Sequence, residues 1–363
     1  MSYRFRLVFQ EEGGNRLGNI STSHGSVETP AFMPVATKGY VKTLTPEDVL
    51  KVKTQAIIAN AFHLYLKPGA DFIENIGGIH RFTGIPLTTF TDSGGFQIIR
   101  KDFSFKVVEE GIIFVHPSSG KKVLFNAELC ADIQRRMGVD VAMALDFCAP
   151  YPSNGLDNLS YKYTVRWARM FRESYERAAF GIVQGGFDEK YREICAKEIA
   201  EIDFEGYAIG GLCIGEPKEI TFRILGNVIK FLPEEKVRYL MGVGSPADIV
   251  RAVELGVDLF DSAYPTRNAR HGTLLTWHGK MNIKRSEYRS DTKPIDEDCC
   301  CYTCRNFSRS YLHHLFKDDD IGVKRLLTIH NLHFINEFFE KMREAIKNGE
   351  FAEFKKRILD IYG

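Results

Sequence analysis

The chain has 363 residues, with 48 Lys and Arg against 47 Asp and Glu and a formal net charge of +1 at pH 7. This balance argues against a protein that binds nucleic acid over its whole surface. Hydrophobic residues make up 44% and aromatic residues 12% of the chain, which is enough for a large core and argues against disorder. Because we find neither a membrane-length apolar run nor a signal-peptide pattern, we expect a cytoplasmic protein.

Residues 1–29 carry alternating apolar side chains and a Gly13-Gly14 turn, which predict a small β-sheet that caps the fold. Residues 30–263 contain eight short apolar runs separated by segments of helical pattern. Eight strand-helix units predict an α/β fold, a closed (β/α)8 TIM barrel, rather than an open sheet. The predicted strands are 30–36, 56–62, 87–92, 139–146, 178–184, 206–212, 237–244 and 257–263.

Three further segments depart from a minimal barrel. Apolar alternation at about 98–122 predicts β-structure inserted after the third strand. Residues 264–330 carry a basic segment and a cysteine cluster, which predict a separate subdomain. From 331 to 363 the apolar spacing predicts C-terminal helices, the first of which ends at Asn348-Gly349.

Polar or glycine residues end seven of the eight apolar runs. In a barrel these C-terminal strand ends meet at one mouth, where catalytic groups are found. An ordinary turn explains an Asp or Gly at any one such position, but seven coincidences favour a functional site. The residues are Asn60, Asp92, Asp146, Gln184, Gly210-Gly211, Gly242 to Gly244 and Asp261.

The strand-end residues suggest a chemistry. Two carboxylates at one mouth, Asp92 and Asp261, can serve as nucleophile and general acid/base at an anomeric carbon. Asp146, Gln184 and the backbone of Gly210-Gly211-Leu212 suit the polar edge of a purine-like base. Without a ligand, a buried Asp or Gln that lacks partners would cost a few kcal/mol.

The eight cysteines fall into two groups. Four are scattered through apolar segments and are expected to be core residues, namely Cys130, Cys148, Cys195 and Cys213. The other four lie within six residues, and they are too closely spaced for structural disulfides among themselves. Their CxCxxC spacing instead predicts a metal site. These are Cys299, Cys300, Cys301 and Cys304.

Seven motifs occur in order over nearly the whole chain: TDSGGFQ, GIVQGG, GGLCIGE, MGVGSP, FDSAYPTRNARHG, CxCxxC and TIHNLHF. Together they resemble the tRNA-guanine transglycosylase family, also called queuine tRNA-ribosyltransferase, in its bacterial type. The resemblance implies a pentosyltransferase of queuosine biosynthesis. Such an enzyme exchanges guanine at wobble position 34 of GUN-anticodon tRNAs for a 7-deazaguanine base. It also implies a homodimer.

The resemblance assigns roles to the strand-end residues. Asp261 would attack C1′ of the ribose and form a covalent ribosyl-enzyme, and Asp92 would act as general acid/base. The base-binding residues would be Asp92, Ser93, Gly94, Gly95, Phe96, Asp146, Gln184, Gly210, Gly211, Leu212 and Met241. The tRNA contacts would be Gly242, Val243, Gly244, Ser245, Pro246, Ala247, Asp248, Thr266, Arg267, Asn268, Ala269 and Arg270.

The local excess of positive charge supports the expected tRNA contacts. Residues 267–293 carry seven Lys or Arg against two acidic residues. A solvated charged face is the ordinary explanation of such a segment. Its position directly after Asp261 favours contacts with the phosphates around a splayed-out anticodon base.

For the metal, the resemblance implies one structural Zn2+ bound by four residues: Cys299, Cys301, Cys304 and His330. Backbone alternation turns Cys300 away from its neighbours, although a CCxxC set that uses Cys300 stays open. His313, His314 and His333 compete with His330, and the Asn331-Leu332 that follows His330 matches the family.

The incoming base is expected to be preQ1. Cys213 and Ile214 stand where eukaryotic family members have small residues that admit the larger queuine. The Leu212 carbonyl and Glu216 are expected to receive the aminomethyl cation of preQ1. Phe147, like Ala61, departs from the usual bacterial pattern, which leaves a queuine- or preQ0-using enzyme or a DNA-modifying relative open. A non-catalytic tRNA-binding partner subunit and a metal-dependent barrel hydrolase are two further hypotheses.

Overall fold

A computed structural model describes residues 3–11, 14–100, 105–117 and 119–363. Eight parallel strands form one sheet, and each predicted run contains one of them. The strands are shorter than the runs, because the last residues of most runs turn into the loops at the mouth. Barrel strands 1 to 8 are Ala31–Ala36, Ala56–Asn60, Thr88–Asp92, Ala142–Met143, Ala179–Val183, Gly206–Ile209, Val237–Leu240 and Leu259–Ser262.

The sheet closes into a barrel, as predicted. Strand 8 pairs with strand 1, and the ladder continues through strands 2 and 3. Strands 3 and 4 meet through a single parallel bridge between Phe90 and Val141. Three backbone hydrogen bonds support this seam. Thr91 N–H donates to the Val141 carbonyl at 3.2 Å, and the N–H groups of Asp140 and Val141 donate to the Thr89 carbonyl at 3.0 and 3.3 Å.

The first residues form the expected cap, a three-stranded antiparallel sheet with strands Arg4–Gln10, Arg16–Thr22 and Gly25–Thr29. Its apolar side chains, Ile20 and Val27 among them, pack with the apolar interior of the barrel. Arg16 is fully buried and donates through Nε to Asp258 at 2.8 Å, just before strand 8. The cap therefore covers the N-terminal end of the barrel. Gly13 of the predicted turn lies outside the described residues.

Helices surround the barrel because their apolar stripes pack on the outer faces of the strands. They are Pro46–Lys51, Ala61–Leu66, Ala70–Ile76, Ile79–Thr83, Gly95–Arg100, Ala127–Met137, Asp157–Ser174, Glu189–Glu201, Lys218–Ile229 and Pro246–Glu254. The insertion is a three-stranded antiparallel sheet of Phe105–Val108, Gly111–Val115 and Lys122–Asn126. Within the described residues this sheet begins later than the predicted 98, because residues 95–100 form a helix after Gly94, whose φ is +84°.

After strand 8 the chain forms a hairpin and further helices. They are Tyr264–Arg270, the strands Thr273–Thr276 and Gly279–Asn282, the 3-10 helix Ser286–Ser290, and the helices Tyr302–Asn306, Arg309–Lys317, Ile321–Lys347 and Phe351–Tyr362. One helix runs across the predicted boundary at 330, since its buried stripe already begins at Val323. In the part of the chain that the structure describes, no helix has the length and apolar character needed to cross a membrane.

Candidate active site

A cavity of about 810 Å3 opens at the C-terminal mouth of the barrel. Most of the predicted base-binding residues line it, together with both proposed catalytic carboxylates. The predicted residues in its wall are Asn60, Asp92, Ser93, Phe96, Asp146, Gln184, Gly210, Gly211, Leu212, Met241, Gly242, Asp261, Arg267 and Asn268. The strand ends therefore converge as the sequence predicted.

Gly94 and Gly95 do not line the cavity, and the structure gives them a packing role. A Cβ on Gly94 would lie 2.5 Å from the Cβ of Phe62, and one on Gly95 would lie 2.7 Å from the Asp146 carbonyl. Any side chain would push the loop away from strand 2 or from the segment after strand 4. These glycines allow the loop that follows Asp92 to pack tightly.

Asp261 lies at the end of strand 8 with its carboxylate held on one side. Its Oδ1 accepts a hydrogen bond from the Tyr239 hydroxyl at 2.5 Å and another from the Gly242 N–H at 2.8 Å. Among the described residues no hydrogen bond reaches Oδ2, which leaves this oxygen for the cavity. Burial raises the pKa of Asp261, although the two hydrogen bonds oppose the shift.

Asp92 lies at the end of strand 3, and its Oδ2 accepts a hydrogen bond from the Asn60 side-chain amide at 2.7 Å. Burial and then the negative charge of Asp261 raise the pKa of Asp92 to about 8. A carboxyl group with this pKa can both give and take a proton near neutral pH, which is what a general acid/base needs.

Asp146 lies in the segment after strand 4 and joins its neighbours in a buried network. The Ser93 hydroxyl donates to Oδ1 at 2.6 Å, and the Gln184 amide donates to Oδ2 at 2.7 Å. Gln184 is 1% exposed, and its Oε1 has no hydrogen-bond partner among the described residues. An unpaired buried acceptor in the cavity wall is suited to an N–H group of a ligand.

Two buried polar residues that support the barrel strands were not predicted from the sequence. Arg192 is fully buried and donates to four backbone carbonyls at the ends of strands 5 and 6. Gln134 is also fully buried, and its amide joins strand 3 to strand 4. In each helix the polar residue stands within the apolar stripe, for example Arg192 three residues before Cys195. That pattern is a usable sequence signal for a buried polar role.

The loop after strand 6 differs from the expectation for Glu216. Its carboxylate accepts the N–H groups of Cys213 at 2.5 Å and Ile214 at 2.9 Å and the hydroxyl of Thr221 at 2.5 Å. Glu216 is 8% exposed and lies outside the cavity lining, whereas Cys213 and Ile214 lie within it. In this structure Glu216 holds the shape of its own loop.

Two interpretations of single residues need correction. Cys213, expected to be a core residue, is only partly buried and lines the cavity, whereas Cys148 is buried as expected and also contributes to the cavity wall. Phe147, expected to bear on the choice of base, is buried away from the cavity lining. Its ring lies 6.2 Å from the ring of Tyr163 and 6.4 Å from that of Trp167, so it packs against the following helix.

The predicted tRNA contacts divide by exposure. Of the predicted contacts at 242–248, Gly242 is exposed and Ser245 is half-buried, and the others are buried. In the helix after strand 8, Arg267 is exposed and Asn268 and Arg270 are half-buried. Thr266 and Ala269 are buried. The accessible residues lie beside the mouth, and the tRNA contacts stay a prediction.

The predicted metal ligands form one cluster. The ligand atoms of Cys299, Cys301, Cys304 and His330 all lie within 4.8 Å of one another. His330 Nδ1 is 3.7, 3.6 and 3.3 Å from the three sulfur atoms in that order. Its Nε2 lies 2.9 Å from the Leu275 carbonyl, which fixes the proton on Nε2 and turns the Nδ1 lone pair toward the cysteines. These four residues can hold a metal ion.

Cys300 does not join the cluster. Its Sγ is exposed and lies 3.5 Å from His333 Nε2. His313 is engaged elsewhere, with Nδ1 2.7 Å from the Ile283 carbonyl. The structure therefore agrees with the expected Cys3His set and with the exclusion of Cys300.

The barrel, the cavity at its mouth and the Cys3His cluster together define a (β/α)8-barrel protein with two carboxylates in one large cavity and a separate potential metal site. The sequence model of the family described as "Queuine tRNA-ribosyltransferase" matches residues 11–363. Proteins of that name in Thermoanaerobacter sp. (strain X514) and Thermodesulfovibrio yellowstonii are similar to this chain. The first is 44% identical over 366 residues, which cover 99% of this chain and 98% of the relative. The second is 46% identical over 364 residues, which cover 99% and 95%.

A third queuine tRNA-ribosyltransferase, from Francisella tularensis subsp. novicida, is 44% identical over 363 residues, which cover 99% of each chain. The chain belongs to the queuine tRNA-ribosyltransferase family. It is therefore an enzyme of the pentosyltransferase class, and the resemblance inferred from the motifs is confirmed.

Proposed function

We propose that this enzyme exchanges guanine at position 34 of GUN-anticodon tRNAs for preQ1 through a covalent ribosyl-Asp261 intermediate. The observation that carries the proposal is that two carboxyl groups with different surroundings lie in one cavity at the mouth of the barrel. Asp261 has one oxygen fixed by two donors and the other left to the cavity. Asp92 has its pKa raised to about 8. Beside them lies the Ser93–Asp146–Gln184 network.

In the first step a C1′–O bond forms to Asp261 as the bond from C1′ to the guanine nitrogen breaks. The bonding electrons leave with guanine, which takes a proton from neutral Asp92. In the second step Asp92 removes a proton from the incoming base, whose nitrogen attacks C1′ and releases Asp261. Two displacements give net retention at C1′.

Burial of the two carboxyl groups supports the roles of Asp261 as nucleophile and Asp92 as general acid/base. Because it raises the pKa of Asp261, the carboxylate is more basic and a better nucleophile than one in water. The Tyr239 hydroxyl and the Gly242 N–H orient it from one side. The charge of Asp261 also keeps a proton on Asp92, since two nearby carboxylates do not ionise independently.

Base binding follows from the polar wall. The Asp146 carboxylate and the free Gln184 Oε1 are acceptors suited to the N–H groups of guanine or a 7-deazaguanine. Main-chain groups of Gly210 to Leu212 complete the wall. Cys213 and Ile214 line the cavity beside this wall, and both are larger than the small residues that the resemblance associates with queuine, which supports preQ1. Competition of labelled guanine exchange by preQ1, preQ0 and queuine tests this choice, and the tightest competitor identifies the base.

The anticodon loop is proposed to bind beside the mouth. Arg267, which is exposed, and Arg270 follow strand 8 directly and can neutralise phosphates next to the extruded nucleotide. Two other cations of the basic segment are paired within the protein, Arg285 with Glu287 at 3.7 Å and Lys293 with Glu297 at 3.1 Å. The first part of the segment therefore offers the strongest positive charge. The predicted homodimer stays a prediction.

We assign Zn2+ to the Cys3His cluster. A tetrahedral zinc with Zn–S of about 2.3 Å and Zn–N of about 2.05 Å requires S···N separations of about 3.5 Å. The observed separations of 3.3 to 3.7 Å match that requirement. Four protein ligands leave no open position, so the ion would hold the subdomain together and take no part in the base exchange.

The decisive experiment is detection of the covalent intermediate. Wild-type enzyme incubated with tRNA, with or without guanine, is denatured and separated on a gel. We expect a protein–tRNA adduct and its loss in Asp261→Asn. The control is Asp71→Asn, since that carboxylate is 80% exposed on the surface. An undiminished adduct in Asp261→Asn would refute the assignment of the nucleophile.

A further inference from the structure

Arg192 is a buried cation whose partners are all main-chain carbonyls. Its Nε donates to Gly186 at 2.8 Å, and Nη1 donates to Val183 at 3.1 Å and to Gly210 at 2.7 Å. Nη2 makes a longer contact of 3.4 Å with the Gly211 carbonyl. One guanidinium thus binds the ends of two neighbouring barrel strands.

No ion pair to Arg192 occurs among the described residues, and burial lowers the pKa of Arg192. A guanidinium that is buried without a paired anion loses its hydration and gains no direct counter-charge. Carbonyls at a wide barrel mouth would otherwise be solvated by water. A contribution to stability alone is therefore a weak explanation for this residue.

The guanidinium acts where the backbone ladder ends. Strands 5 and 6 pair in register as far as Val183 and Ile209, and Gly210 N–H makes the last backbone bond to Val183 at 3.2 Å. Beyond it, Arg192 is the link between the two segments that enter the cavity wall. One segment carries Gln184 and the other carries Gly211.

The hydrogen bonds also fix the direction of a peptide group. In a planar trans peptide the N–H points opposite to the carbonyl. Because the Gly210 carbonyl points at Arg192, the Gly211 N–H points away from the guanidinium. Gly211 lines the cavity, and its N–H has no acceptor among the described residues. Gly211 has a φ of +67°, which favours glycine. A Cβ at this position would lie 2.4 Å from Gln184 Oε1, so no side chain fits there and the peptide is held closely against Gln184.

We propose that Arg192 is a positioning residue for base specificity. It aims the Gly211 N–H at the exocyclic oxygen on C6 of the bound base. The proposal rests on the proposed function of the cavity as a guanine and 7-deazaguanine site. An N–H donor at this position favours a 6-oxo purine and disfavours a base with an amino group or a hydrogen there, since the donor would be left unpaired.

The test compares Arg192→Lys and Arg192→Met with a matched control, Arg16→Lys. Arg16 is also fully buried and also donates to two carbonyls, but it lies at the cap end of the barrel. For each protein we would measure the KM of guanine and of tRNA, kcat, the inhibition constant of 2-aminopurine, which lacks the 6-oxygen, and the melting temperature.

In the Arg192 variants we expect the KM of guanine to rise about tenfold or more, as for the loss of one well-placed hydrogen bond. The inhibition constant of 2-aminopurine and the KM of tRNA should change less than about threefold. Arg16→Lys should lower the melting temperature and leave the ratio of guanine to 2-aminopurine affinity unchanged.

Equal weakening of guanine and 2-aminopurine in the Arg192 variants would overturn the proposal, and so would an unchanged KM of guanine. Arg192→Lys keeps the cation, so failure of that variant to fold while Arg16→Lys folds would show a purely structural role. A wild-type enzyme that exchanges no guanine would instead refute the proposed function.

Discussion

The side chain of Gln134 adds hydrogen bonds to the seam between strands 3 and 4, beside the backbone bonds already described there. Its Oε1 accepts the Thr91 hydroxyl at 2.7 Å and the Met143 N–H at 2.9 Å. Its Nε2 donates to the Met143 carbonyl at 2.9 Å and to the Cys130 carbonyl at 3.2 Å. The amide pairs with Met143 on both sides, as a neighbouring strand would. Gln134→Glu keeps the size and shape of this group and changes its hydrogen-bonding and, when the acid is ionised, its charge.

The expected effect of Gln134→Glu depends on the protonation of the new side chain. Ionised, it has acceptors only, so two donations are lost and the Met143 carbonyl faces a carboxylate oxygen. With about 1 kcal/mol per lost hydrogen bond and about 1–3 kcal/mol for the unpaired carbonyl, the loss is about 3–5 kcal/mol. Protonated, the acid has one O–H donor and one carbonyl acceptor, which nearly reproduces the amide.

The direction of the pH dependence follows from burial. Full burial raises the pKa of a carboxyl group at position 134 above its unfolded value of about 4.3, because the charged form is the one disfavoured in the fold. The stability of the variant relative to wild type is therefore highest below the unfolded pKa and falls as the pH rises through the folded pKa. Urea unfolding followed by tryptophan fluorescence at pH 5 and pH 8.5 measures this difference.

Gln134→Met is the matched control, since it removes the hydrogen bonds and cannot titrate. We expect its loss of stability to be the same at both pH values, while that of Gln134→Glu grows at pH 8.5. Equal unfolding midpoints for wild type and Gln134→Glu at pH 8.5 would refute the role given to the seam amide.

Two further predictions follow from the carboxylates and the metal cluster. The pKa of Asp92 in the folded protein is raised to about 8, so the folded state loses stability as the pH rises from about 4 through 8. Asp92→Asn removes the carboxylate charge, and we expect it to melt at a higher temperature than wild type at pH 8 but not at pH 4. The variant should also lose base exchange. A melting difference that is the same at both pH values would contradict this. Metal analysis should find one zinc per chain in wild type and Cys300→Ser and much less in Cys301→Ser, which should also melt lower; loss of zinc from Cys300→Ser would instead favour a CCxxC ligand set.

The barrel was predictable because strand burial leaves a direct trace in the sequence. Each strand is buried on both faces, so each appears as a short apolar run, and its end is marked by a polar residue such as Asp146 or Asp261. The strand ends converge by topology alone, so the cavity followed from the same pattern. The Cys3His cluster was equally legible, since close cysteine spacing has few structural explanations.

The features of the site that the sequence did not predict depend on the direction of side chains and on contacts between residues far apart in the chain. Whether Phe147 enters the cavity is decided by its packing against Trp167, 20 residues later, which no local pattern shows. The carboxylate of Glu216 could have faced either the ligand or its own loop, and only the fold decides between them. A polar residue within an apolar helical stripe indicates that Arg192 and Gln134 are buried, but their partners are backbone groups without residue identity, so the sequence does not show what they bind.

The long helix Ile321–Lys347 connects the Cys3His cluster with the helix that carries Arg267. His330 belongs to the Cys3His cluster. The next residue, Asn331, donates to the carbonyl of Pro265, in the helix that carries Arg267, and to that of Thr273, just after this helix. In the described parts of the chain, no side-chain hydrogen bond joins this helix to strands 3 to 6, whose ends carry most of the proposed base-binding residues. If the proposed zinc and tRNA contacts hold, removal of the metal would disturb the proposed tRNA-binding helix before it disturbs the proposed base-binding wall, so that tRNA affinity would fall while the preference among bases is kept.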